Sequence, residues 1–89
     1  MPSRAPIKLK VLNVIAAIAH RSKDSVQESQ TLDGDLGLGG TVRAALAVPF
    51  TRIAREYPQG KRVTILEARA LKTVQEAIDL VHARANGVG

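Results

Sequence analysis

Apolar residues recur along the first third of the chain with the period of a helix. Ile7, Val11, Val14, Ile15 and Ile18 follow at spacings of three and four, which puts them on one face and predicts a helix from Ile7 to about Arg21. Leu9 and Leu12 fall off that face and either widen the buried stripe or mark an exposed apolar contact. Residues 22–34 are polar, with Val26 and Leu32 as the apolar anchors of a long loop. Within it, Ser25-Val26-Gln27-Glu28 has the spacing of a capping box and allows a short helical turn.

The pattern resumes after a glycine-rich turn, Asp33-Gly34-Asp35-Leu36-Gly37-Leu38-Gly39-Gly40-Thr41. A second helix is expected to start near Gly40 or Thr41. Val42, Leu46, Phe50, Ile53 and Tyr57 form its stripe; Pro49 either kinks this helix or breaks it into two pieces that keep one buried face, and the unbroken phase favours the kink. Pro58-Gln59-Gly60 ends it. Thr64-Ile65-Leu66-Glu67 then opens a short helix carrying Ile65, Leu66, Ala68 and Leu71. Thr73-Val74-Gln75-Glu76 opens the last helix, whose stripe is Val74, Ala77, Ile78, Val81 and Ala85. Asn86-Gly87 closes it. No segment alternates as a strand does. The expected fold is all-α, a bundle of three main helices and one short one with a long first loop. Residues 7–86 form a single domain between flexible ends at 1–6 and 87–89.

Composition narrows the chemistry. The 89 residues suit one small domain. Phe50 and Tyr57 are the aromatics, so the core is aliphatic. The absence of cysteine excludes disulfides and thiolate chemistry. His20 and His82 lie far apart, and the serines at 22, 25 and 29 have no histidine near them in sequence, so no nucleophilic triad is supported. Asp33 and Asp35, with Glu28 or Asp24, do not have the spacing of a calcium loop. The turn matches neither G-x-G-x-x-G nor a G-K-[ST] phosphate loop. No apolar run is long enough to span a membrane, and Lys8 and Lys10 break any secretory core, so a cytoplasmic protein is expected. The net charge of +5 and pI near 10.3 call for an acidic partner: a protein, an anionic surface or nucleic acid.

Particular residues give the layout a family likeness. Leu32 and Asp35-Leu36-Gly37, then Val63, Leu71 and the string Thr73-Val74-Gln75-Glu76-Ala77-Ile78-Asp79, resemble the acyl carrier protein family over most of the chain. The likeness implies a four-helix carrier fold. Its carriers hold a phosphopantetheine arm on a serine at the head of the second helix, where free backbone N–H groups favour a phosphate. The matching residues here are Gly39, Gly40 and Thr41, with Gly40 in the serine's place. The arm therefore has no attachment point there, and no cofactor is expected. Thr41 reads as a helix N-cap.

Carriers are also acidic and dock on basic partners, whereas the second helix here carries Arg43, Arg52 and Arg55 against Glu56. A non-enzymatic binding module follows, one that meets an acidic protein through those three arginines. Two alternatives remain open. One is a carrier modified at an atypical hydroxyl. The other is a small basic nucleic-acid-binding protein, with a short junction at Pro58–Arg62 and a cluster of Lys61, Arg62, Arg69 and Lys72.

Overall fold

A computed structural model of the chain describes residues 2–89. The chain is all-α: among the described residues no strand forms, and Thr31 and Thr73 meet in an isolated antiparallel bridge. Its helices are α1 (Arg4–Ala19), α2 (Gly40–Ala45), α3 (Ala47–Ala54), α4 (Ile65–Arg69) and α5 (Val74–Ala85). Helix α1 lies against α5, α3 packs on both, and α4 packs mainly on α2.

The first helix begins at Arg4, not Ile7, so residues 4–6 are helical and not a loose end. Pro6 sits in the first turn, where a backbone N–H has no intrahelical acceptor and its loss costs little. The expected stripe is buried at Ile7, Val11 and Ile15, and Leu12 joins it. Leu9 stays in solvent. His20, at φ 56°, caps the helix in the left-handed region.

The expected second helix divides. Its two pieces meet at Leu46, three residues ahead of Pro49, instead of continuing through a kink. The cause is local. Proline has no N–H to return to the preceding turn. The backbone tightens there, with the Leu46 N–H donating three residues back to the Arg43 carbonyl at 3.0 Å, and the α pattern resumes with the Phe50 N–H on the Leu46 carbonyl at 3.0 Å. Pro49 thus falls in the first turn of α3, as Pro6 does in α1. Phase is kept through the joint: Leu46, Phe50 and Ile53 are buried, while Val42 is on the surface.

The last two helices start where the sequence says. Thr64 accepts from the Glu67 N–H, and the Glu67 carboxylate accepts from the Thr64 N–H, a complete capping box. At α5 the box is half-made. Thr73 accepts from the Glu76 N–H, but the Glu76 carboxylate takes the Lys72 N–H instead. All five stripe residues of α5 are buried. In α4 only Ala68 is, and Ile65 and Leu66 stand exposed. Gly60 closes the joint after α3. A Cβ there would lie 1.8 Å from the Ala54 carbonyl oxygen, so no side chain fits.

The long loop is tied down at both ends. A 3-10 turn forms at Lys23–Ser25, earlier than the Ser25–Glu28 spacing suggested. Val26 and Leu32 are buried as anchors. Arg4 forks onto Glu28 at 2.5 and 3.3 Å and reaches Asp79 at 2.8 Å, while Lys8 meets Glu28 at 2.9 Å. This network joins α1, the loop and α5. Hydrogen bonds from Arg4, then Lys8, hold the Glu28 carboxyl down at about 2, well below its usual range.

Candidate functional site

The glycine-rich turn is closed on itself. The Thr31 N–H donates to the Asp35 carboxylate at 2.8 Å, and the Asp35 N–H donates back to the Thr31 hydroxyl at 2.9 Å. Backbone bonds from Gly37 to the Asp33 carbonyl at 2.9 Å and from Leu38 to the Leu32 carbonyl at 2.8 Å complete it. Gly37, at φ 69°, supplies the left-handed residue that lets the chain reverse. Leu32, Leu36 and Leu38 are all buried beneath the turn. Asp33 and Asp35 are thus parts of a turn, and among the described residues no three His, Asp or Glu side chains gather into a metal-binding group.

Gly40 is the first residue of α2 and Gly39 its N-cap; Thr41, expected as the cap, lies inside the helix and is exposed. The helix starts at Gly40, as expected, but its cap falls two residues before Thr41, because Gly39, in extended conformation, already turns the chain into it. A Cβ on Gly40 would meet Arg69 Nε at 3.5 Å and an Arg43 Nη at 3.8 Å, both ordinary contacts. A serine side chain would fit, so lack of space does not account for the glycine.

The three arginines separate into two roles. Arg43 is largely buried and works inside the fold. Its guanidinium donates to the Leu38 carbonyl at 2.6 Å and the Arg69 carbonyl at 3.2 Å, and it lies 3.7 Å from the Asp33 carboxylate. It clamps the glycine-rich turn to α4. Arg52 on α3 and Arg55, its C-cap, are exposed and make no ion pair or side-chain hydrogen bond among the described residues.

The structure adds residues that the periodicity did not single out. Val48, Ile65 and Leu66 are exposed on α3 and α4, at 65%, 63% and 78% of their surface, and lie together with Arg55 and Arg62. Val48 could have been noticed as an apolar residue off the α3 stripe. Ile65 and Leu66 could not, since a five-residue helix has no repeat to show which face is buried. No helix is long and apolar enough to cross a membrane.

Comparison of the chain with protein-family models, with curated proteins and with solved structures returned no match.

Proposed function

We propose that the protein is a non-catalytic binding module of acyl-carrier type that has lost the prosthetic-group serine and meets an acidic protein through α2–α3. The observation that carries this reading is Gly40 at the head of α2. The turn anchored by Leu32, Leu36 and Leu38 delivers it to the start of a helix, with room for a side chain but no hydroxyl. The Thr-Val-Gln string, which the carriers resemble most closely, opens α5 and buries its apolar members. Arg52 on the neighbouring helix and Arg55 at its end supply positive charge that has no ion pair among the described residues. An acidic partner would be drawn to this face and a basic one repelled.

Intact-protein mass after incubation with a phosphopantetheinyl transferase and coenzyme A tests the reading. The wild type is expected to keep its mass. Gly40→Ser is expected to gain one phosphopantetheine arm, since the new hydroxyl stands at an uncapped helix start. A mass gain on the wild type would overturn the reading in favour of a working carrier modified at another hydroxyl. Inertness of a folded Gly40→Ser variant would count against the likeness to carriers.

A further inference from the structure

Between α3 and α4 runs an open groove of about 520 Å³. Val48 walls it on the α3 side, and Ile65 and Leu66 on the α4 side. Its floor is held in place: the Thr51 hydroxyl accepts from the Val63 N–H at 2.8 Å and donates to the Val63 carbonyl at 3.1 Å. Arg55 and Arg62 line it too, both exposed and without an ion pair among the described residues. Three large aliphatic side chains in solvent on so small a domain are a cost that burial against a partner removes.

Charge decides among the occupants. Residues 46–72 hold six of the thirteen cations and two of the eight acids, so this stretch carries +4 of the net +5. Both acids are committed elsewhere, Glu56 to Lys10 and Glu67 to Arg84. Arg55 and Arg62 are the charged residues that line the groove itself, so a second copy docked by the same face would set these arginines against each other, because a twofold contact pairs identical patches. Nucleic acid would match the arginines but leave Val48, Ile65 and Leu66 against phosphates, and no aromatic lines the groove for a base to stack on. A protein segment with apolar side chains on one face and acids beside them satisfies both features. Helix α3 has eight residues, about 12 Å at 1.5 Å per residue, which matches two turns of a docked helix.

We propose that the α3–α4 groove binds an acidic amphipathic helix of a protein partner, with Val48, Ile65 and Leu66 receiving its apolar face and Arg55 and Arg62 its carboxylates. This deepens the binding-module reading and rests on it. The docked helix presents apolar residues at spacings of three or four with Asp or Glu beside them. Arg52, exposed on α3 three residues before Arg55, adds to the attraction over a longer range.

The test uses the full chain and a short helical peptide with leucines four residues apart flanked by glutamates. Two controls are the same residues with the leucines on opposite faces, and the same peptide with lysine for glutamate. Methyl chemical shifts of Val48, Ile65 and Leu66 locate binding. Only the acidic amphipathic peptide is expected to bind there, with affinity falling as salt rises. Leu66→Ser, and separately Arg55→Gln with Arg62→Gln, are expected to weaken it about tenfold or more. Arg55→Glu with Arg62→Glu is expected to transfer preference to the lysine peptide, which a merely unfolded variant would not do.

Equal binding of all three peptides, or no binding at these methyls, overturns the proposal. So does preferential binding to phosphatidylglycerol vesicles or duplex DNA at the same methyls, or concentration-dependent self-association through them. None of these outcomes bears on the mass measurement, so failure of the groove and failure of the carrier reading are told apart.

Discussion

The α1–α5 side and the α3–α4 side of the molecule treat the same residue types in opposite ways. Along α1, Arg4, Lys8 and Lys10 each meet a carboxylate, from Glu28, Asp79 or Glu56. Its stripe interlocks with that of α5, and Ile7, Val11, Ile15, Val74, Ile78 and Val81 have no exposed surface. Along α3 and α4, Arg52, Arg55, Arg62 and Arg69 make no ion pair among the described residues, and Val48, Ile65 and Leu66 face solvent. Leu9 on α1 is exposed singly, whereas along α3 and α4 three exposed aliphatic side chains lie together with these arginines. A face finished in itself would have paired the charge and buried the apolar surface, and this difference is what supports the proposed docking face.

Substitutions in the shared core and on the open face of α3 and α4 are expected to differ most in stability. Phe50, fully buried where α3 turns into the bundle, is the largest enclosed side chain. Phe50→Ala is expected to cost about 3–5 kcal/mol in a urea melt, by loss of transfer energy and the cavity left behind. A loss below about 1 kcal/mol would mean that the α3 core is loosely packed and the contrast between the sides overstated.

The ion network makes a smaller, pH-dependent contribution. The Glu28 carboxyl is held at about 2 in the folded protein, against 4.5 as its ordinary value. A depressed carboxylate stabilises the fold above its unfolded pKa, and that share is lost as pH falls through the folded one. Stability is therefore expected to decline from about pH 4.5 towards about 2. Glu28→Gln should flatten this part of the profile and cost no more than about 1 kcal/mol at neutral pH, because the pair is partly solvated. An unchanged acid profile would show that the network does not hold the loop.

The smallest stability effect is expected on the open side. Leu66→Ser should leave the unfolding free energy from a urea melt within about 0.5 kcal/mol of wild type, while abolishing most of the peptide binding. A large loss of stability would mean that Leu66 serves the fold and would erase the contrast.

Much of this architecture can be read from the residues in order. The stripes of the first and last helices, the Thr64 and Thr73 caps, and Val26 and Leu32 as loop anchors all follow from period and side-chain chemistry. These signals are local: a helical repeat or a capping hydroxyl acts within one or two turns. The division at Leu46 was not legible, because the apolar phase continues across Pro49 and only the backbone bonds show where the ladder is interrupted. Arg43, Arg52 and Arg55 look alike in sequence. Arg43 became a clamp because the glycine-rich turn and α4 arrive together around it, a meeting of segments that no local pattern encodes.

The sequence by itself determined the helical class, the order of the elements, the aliphatic core, the glycine at the head of α2 and the excess of positive charge. Period, composition and capping chemistry fix these before any distant contact forms. Tertiary structure alone decided which apolar residues stayed outside and which arginines stayed free. A five-residue α4 can bury only one side, and Ala68 takes it. Ile65 and Leu66 are left to face Val48 across a groove that exists only once α3 and α4 have packed.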